Sequence, residues 1–201
     1  MNKSLIYKYF LIILLPISCA ESEPLNSERI RDRYGNYQLE IVYADSTVRI
    51  ADLFTVNDDI RTTRTLAVVE FSEQMAAELA NPHATVVAGG SIGETLKAAG
   101  WTISKEHLEI CSFEAAGPVE PWLKGMGLKA QPSLASHTYE LSVSKAGVNS
   151  DYARITEVHH PDYLDVEELA TIYDFSALQA DLACRQIATR LPTPSEDVRD
   201  R

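Results

Sequence analysis

The chain has 201 residues, a formal net charge of −11 and an apolar content of 45%, which is ordinary for a globular protein. This length is enough for one domain with a hydrophobic core and too short for two domains of ordinary size. The acidic balance repels phosphate groups, so we expect neither nucleic acid nor anionic lipid surfaces as binding partners.

The first 18 residues have the order of a bacterial secretory signal. Lys3 and Lys8 form a basic start, an apolar run covers residues 9–15, and small residues flank Cys19. The apolar run is far shorter than the ~20 residues that a membrane-spanning helix needs, so we expect export rather than a permanent span. Removing residues 1–18 takes away both lysines and changes the net charge from −11 to −13.

Two cleavage positions are consistent with this segment. Cleavage after Ala20, at a small-residue site, would release a periplasmic protein. Ser18-Cys19-Ala20 with Leu15 upstream also resembles the lipobox of bacterial lipoproteins. This resemblance implies that Cys19 is acylated, becomes the new N-terminus and anchors the protein in a membrane. Ala20 after the cysteine further implies sorting to the periplasmic face of the outer membrane, and we favour this lipid-anchored interpretation.

Cys111 and Cys184 remain once Cys19 is assigned to the signal. An even pair in an exported protein is consistent with a disulfide. The alternative is two buried free thiols, because cysteine packs as a small apolar residue.

The remaining chain divides into a polar tether (19–35), a single domain (36–192) and a loose C-terminal tail (193–201). Apolar alternation and short apolar runs predict strands within the domain. These strands cover residues 37–43, 48–54, 66–69, 84–88, 101–103, 108–113, 137–144 and 152–158.

Helix signals are fewer than strand signals. Ser72 can cap a helix over residues 73–79, and Gly100 ends one over residues 92–99. Two capping-box patterns, Asp165 with Glu168 and Ser176 with Gln179, start the last two helices. The predicted fold class is α+β: a mixed or mainly antiparallel sheet packed by three to four helices.

The sharpest chemical motif is Gly89-Gly90-Ser91-Ile92-Gly93, between a predicted strand and a predicted helix. It satisfies G-x-S-x-G and resembles the nucleophile elbow of α/β-hydrolases over those residues and their flanks. The resemblance implies Ser91 as nucleophile, Asp151 as the orienting acid and His159 or His160 as the base.

Two simpler interpretations compete with catalysis at this motif. Ser91 with Glu94 forms a capping box for the following helix, and this is the interpretation we favour. Alternatively, free backbone N–H groups at the start of that helix could bind a small anion.

Glu157 and His159 lie two residues apart on a predicted strand, so they share a face and could hold one metal ion. Two ligands fall short of the four that a structural zinc requires, and a polar strand end is the favoured alternative. The sequence therefore implies no cofactor.

Taken together, these patterns favour an exported, lipid-anchored envelope protein that acts as a binding or structural module rather than an enzyme. Its expected partners are a membrane, through the lipid anchor, and an envelope protein or a small ligand. The alternative function is a small exported serine hydrolase that uses Ser91.

Overall fold

The computed structural model describes residues 23–115, 120–128, 133–175, 182–183 and 191. The strands are β1 (Gln38–Ala44), β2 (Val48–Asn57), β3 (Ile60–Phe71), β4 (Thr102–Glu114), β5 (Ser133–Lys145), β6 (Val148–His159) and β7 (Leu182–Ala183). Within this part of the chain, six antiparallel strands form one sheet in the order β1-β2-β3-β6-β5-β4. The short strand β7 lies parallel beside β4.

Two tight turns set the register of the longest hairpins. Asp58 and Asp59 join β2 to β3 with φ angles of 49° and 63°, and Ala146 and Gly147 join β5 to β6 with φ angles of 49° and 86°. Two left-handed residues in a row match the right-handed twist of the flanking strands. The sheet therefore consists of two three-stranded meanders, which meet where β3 pairs with β6.

The helices are α1 (Asn26–Tyr34), α2 (Ala80–Val87), α3 (Ile92–Ala98), α4 (Glu120–Leu123) and α5 (Val166–Ile172). They are short. The nine residues of α1 span ~14 Å, whereas the thirteen residues of β5 span ~43 Å. In the described ranges, no helix has both the length and the apolar character needed to cross a membrane.

The expected fold class, an α+β domain with three to four helices packing the sheet, is wrong. The structure is dominated by its antiparallel sheet, and the helices do not form a packing layer. The physical reason is helix length, because a helix of four to nine residues covers only a fraction of a long strand.

Both faces of the sheet carry apolar clusters. Side chains alternate along β3, so Leu66 and Val68 lie on one face and Ala67 and Val69 on the other. The first face, here called the cleft face, packs against the segment 120–126. The second, here called the α1 face, packs against α1 and α5.

Four local predictions differ from the structure. The helix expected over residues 73–79 is absent, because residues 73–74 form a turn and only Ala77–Leu79 form a short 3₁₀ helix. Residues 84–88 were expected to form a strand, but most of them belong to α2, which holds Pro82 in its first turn, where proline is tolerated. The predicted strands 101–103 and 108–113 are parts of the single strand β4. Helix α1 lies within the range expected to be a tether, and its fully buried Ile30 makes it part of the domain.

Cys111 lies near the end of β4 and is disulfide-bonded. Cys19 and Cys184 both lie outside the described residues, so the pairing of Cys111 with Cys184 stays a prediction. The expected lipidation of Cys19 and the helix expected from Ser176 also lie outside them.

Candidate functional site

Ser91 occupies the N-cap position of α3, but its side chain makes no capping hydrogen bond. Glu94, the expected partner in a capping box, instead forms an ion pair with Arg31 at 2.8 Å. The backbone position expected for a cap is therefore present, and the reciprocal side-chain contacts are not.

The remaining residues of the expected triad lie apart. Asp151 accepts a hydrogen bond from Ser142 and is eight residues from His159 along β6, about 26 Å in an extended strand. His160 accepts a hydrogen bond from the backbone N–H of Asp162 at 3.0 Å. Because acid and base are this far apart, the geometry does not form a Ser-His-Asp triad.

Glu157 and His159 share the α1 face, as their spacing predicts. Their nearest side-chain atoms are 4.0 Å apart. Glu157 accepts hydrogen bonds from Asn26 at 3.2 Å and Tyr139 at 3.4 Å, and the Nδ1 atom of His159 lies 3.0 Å from the hydroxyl of Thr65. Among the described residues, no group of three or more His, Cys, Asp or Glu side chains is arranged to hold a metal ion.

A buried hydrogen-bond network surrounds these two residues. Asn26 also donates to Thr65 at 3.2 Å and accepts from the hydroxyl of Tyr163 at 2.7 Å. Burial raises the pKa of the Glu157 carboxyl, and burial lowers the pKa of His159 to about 3. Both groups are thus held towards their neutral forms, so the network ties α1 to the sheet with little buried charge.

The cleft face carries an open cleft of about 540 Å³. Strands β1, β2 and β3 form one wall, and the segment 121–125 forms the other. The polar lining comprises Glu40, Asp52, Arg61, Thr63 and Lys124, and the apolar lining comprises Val42, Leu66, Pro121, Trp122 and the backbone of Gly125.

Asp52 is the buried charge of this cleft, with 5% of the residue exposed. Its Oδ2 atom accepts from Arg61 at 2.5 Å and from Thr63 at 2.9 Å. Its Oδ1 atom is buried and has no hydrogen-bond partner in the described part of the chain. Burial raises the pKa of Asp52, against the opposing effect of Arg61 and Thr63.

The guanidinium of Arg61 contacts three side chains. It pairs with Glu40 at 2.5 Å as well as with Asp52, and its guanidinium lies 3.8 Å from the ring centre of Phe54. The pKa of Arg61 is raised, because the effect of its bonds to the two carboxylates is larger than the opposing effect of burial. A cation fixed in this way orders the carboxylates that line the cleft.

Trp122 closes the opposite wall. Only 5% of it is exposed, its ring packs edge-on against Tyr43 at 6.1 Å, and its Nε1–H donor is buried with no acceptor among the described residues. Gly125 lies so close to the sheet that an added Cβ would be 3.0 Å from the hydroxyl of Thr63. Asp52 and Trp122, which both line the cleft, thus hold one buried acceptor and one buried donor without a partner among the described residues.

The described residues that line the cleft include no serine, cysteine or histidine. The polar side chains that line it are suited to binding by hydrogen bonds.

Sequence reasoning missed Asp52, Arg61 and Trp122. The sequence does carry a signal for Asp52. Together with Arg49 it is a charged residue inside an otherwise apolar predicted strand. A charge in a buried strand needs a partner or a function. Trp122 gave no such signal, because it lies in a proline- and glycine-containing stretch that reads as a loop.

No protein-family model matches the chain, and a search of curated proteins found no match.

Proposed function

We propose that this protein is an exported, lipid-anchored envelope protein that binds a small, neutral, polar ligand in the cleft between β1–β3 and segment 121–125. The observation that carries the proposal is that two residues of the cleft wall, Asp52 and Trp122, each hold a buried polar atom, Oδ1 and Nε1, with no hydrogen-bond partner among the described residues. A buried polar atom without a partner costs about 1–3 kcal/mol. A ligand that supplies both partners recovers this cost.

The charges of the cleft favour a neutral ligand. Glu40 and Asp52 contribute two negative charges, Arg61 and Lys124 contribute two positive charges, and the lining is balanced. An ionic ligand would disturb this balance, whereas hydroxyl groups both donate and accept hydrogen bonds. The volume lies in the range of roughly 300–1,000 Å³ that is usual for small-molecule sites. A mono- or disaccharide has these properties.

The envelope location rests on the sequence of residues 1–20. The basic start, the short apolar run and Cys19 support export and acylation. Metabolic labelling with a fatty acid, compared between the natural chain and Cys19→Ala, tests the anchor. Equal labelling of both chains, or none in either, would reject lipidation while leaving export open.

Binding in the cleft is tested by saturation-transfer NMR with a panel of pyranose mono- and disaccharides. Asp52→Asn keeps the shape of the side chain, and its amide group replaces an acceptor with a donor. Trp122→Phe removes the indole N–H donor. We expect each change to weaken saccharide binding by about tenfold or more, the usual effect of removing a buried hydrogen bond to a ligand.

Asp151→Asn serves as the matched control, because Asp151 is an exposed carboxylate outside this cleft. It should leave saccharide binding unchanged. Failure of the natural protein to bind any saccharide of the panel, or equal binding by Asp52→Asn and Trp122→Phe, would overturn the proposal. Labelling of Ser91 by an active-site serine reagent would favour the hydrolase alternative instead.

A further inference from the structure

Arg49 is a buried arginine on the α1 face, the side of the sheet opposite the cleft. Only 2% of the residue is exposed. Its Nη1 atom donates to the carbonyl oxygens of Val86 at 2.7 Å and Gly90 at 2.9 Å. These two bonds hold the guanidinium in place between the end of α2 and the start of α3.

The other edge of this guanidinium has no partner among the described residues. In the described part of the chain both of its hydrogen bonds start at Nη1, and the buried Nε atom has no acceptor. The Nε–H and Nη2–H bonds lie along one edge of the planar group, the edge on which a carboxylate binds with two parallel hydrogen bonds. Arg49 thus presents a preformed pair of donors.

No carboxylate among the described residues pairs with the charge of Arg49. Burial lowers the pKa of Arg49, and in the described part of the chain this effect is opposed by the hydroxyls of Tyr152 and Tyr37. An unpaired charge in a protein interior is strongly unfavourable, so buried charges are normally paired. Water could satisfy the donors of Arg49 but would leave its charge unpaired.

Arg49 lines a cavity of about 70 Å³. Arg49, Tyr37 and Ser91 are among its polar lining residues. The hydroxyl of Tyr37 is buried beside Ser91 and makes no hydrogen bond of normal geometry within the described residues. Leu53 and Val69 are among the apolar residues that line the rest. The volume corresponds to roughly two water molecules, which is the size of a carboxylate group.

We propose that this cavity binds the carboxylate of a small monocarboxylate ligand. The carboxylate lies side-on against Nε and Nη2 of Arg49, the hydroxyl of Tyr37 donates a third hydrogen bond, and the short apolar remainder of the ligand packs on the apolar wall. This site is independent of the cleft that contains Asp52.

Charge and size favour a carboxylate over a phosphate. Lys105, which also lines the cavity, is paired with Glu23 at 2.9 Å, and burial holds Glu157 towards its neutral form, so Arg49 leaves one positive charge to neutralise. A carboxylate carries one negative charge, whereas a phosphate dianion would bring a second charge without a partner. A planar carboxylate also matches the fork of the guanidinium.

The test is a titration of the full mature protein with sodium acetate, propionate and butyrate, followed in ¹H–¹⁵N NMR at the side-chain Nε–H of Arg49. Sodium chloride at equal ionic strength is the control for salt effects. We expect a saturable shift of the Arg49 Nε–H signal with each carboxylate, and affinity that rises from acetate until the apolar wall is filled. Thermal unfolding should show matching stabilisation, because a ligand that binds only the folded state raises its stability.

Two variants separate binding from folding. Arg49→Met should abolish the stabilisation by carboxylates, but it also removes the bonds to Val86 and Gly90. Tyr37→Phe leaves those bonds intact and removes a single donor, so it should weaken binding by about tenfold while the domain stays folded.

An equal shift with chloride, a shift that does not saturate, or undiminished carboxylate binding by Tyr37→Phe and Arg49→Met would overturn the proposal. Saturable binding of inorganic phosphate in preference to the carboxylates would overturn the ligand class. None of these results bears on saccharide binding in the cleft on the opposite face.

Discussion

Replacing His159 with glutamine should make the domain less sensitive to acid. His159 is 1% exposed, and its only hydrogen bond within the described residues joins Nδ1 to the hydroxyl of Thr65. Burial lowers the pKa of this histidine from 6.5 to about 3. Glutamine can bond to the same hydroxyl and cannot take up a proton.

The size of the effect follows from this difference in pKa. The unfolded chain protonates His159 below pH 6.5, and the folded chain does so only near pH 3. Because the folded state binds fewer protons in this window, the free energy of unfolding falls as the pH falls from 6.5 towards 3. At about pH 4 the loss from His159 alone is about 3 kcal/mol, at 1.36 kcal/mol for each unit of pKa difference.

The assay is urea unfolding at pH 7 and at about pH 4, followed by tryptophan fluorescence and analysed by linear extrapolation. The measured quantity is the loss of unfolding free energy between the two pH values, which we expect to be about 3 kcal/mol smaller in His159→Gln. His83→Gln is the control, because His83 is only partly buried and should change the loss far less. Equal losses in the natural protein and His159→Gln would refute the assignment of a buried neutral histidine.

Three further changes test local features of the fold. Asp165→Ala removes the side chain that accepts from the backbone N–H of Glu168 at 2.8 Å, and should lower the unfolding free energy by about 1 kcal/mol in urea. Gly90→Ala places a Cβ 2.9 Å from the carbonyl oxygen of Thr85, and should lower it by about 1–3 kcal/mol in the same assay. Cys111→Ser removes a disulfide and should cost about 2–5 kcal/mol under oxidising conditions, with no difference from the natural protein after reduction.

For each of these changes, one result would contradict the expected effect. Glu167→Ala, a change of an exposed first-turn acid, should cost less than Asp165→Ala, and equal costs would reject the cap. A stability of Gly90→Ala equal to that of the natural chain would show that the neighbouring backbone yields without cost. A free thiol on Cys111 in the natural, unreduced protein would reject the disulfide.

Local elements of this protein could be predicted where the signal itself is local. The capping box at Asp165 is confirmed, because its two hydrogen bonds join residues three positions apart. The hairpin of β5 and β6 follows from alternation along both strands and a two-residue turn.

Helix and strand were confused where the local signal is ambiguous. Residues 84–88 form a short apolar run, which periodicity alone does not assign. Residues 26–34 are polar enough to resemble a tether, and only the packing of Ile30 against the sheet makes them part of the domain.

The candidate sites depend on contacts between distant parts of the chain. Arg49 bonds to Val86 and Gly90, which lie 37 and 41 positions further along the chain. Trp122 and Asp52 line the same cleft only because the segment that holds Trp122 folds onto the sheet. Ser91 lies in the strongest sequence motif. A local motif, however, does not determine whether an acid and a histidine from distant parts of the chain lie beside the serine.

The sequence alone determines the order of charge and apolarity that predicts export, the pattern of strands and turns, and the presence of two charged residues inside an apolar strand. These features depend on neighbours along the chain. The tertiary structure decided that the helices form no layer, that Asp52 and Arg49 face opposite sides of the sheet, and which of their polar atoms have no partner. Burial and pairing are properties of the packed chain, because the residues that exclude water from a side chain lie far from it in sequence.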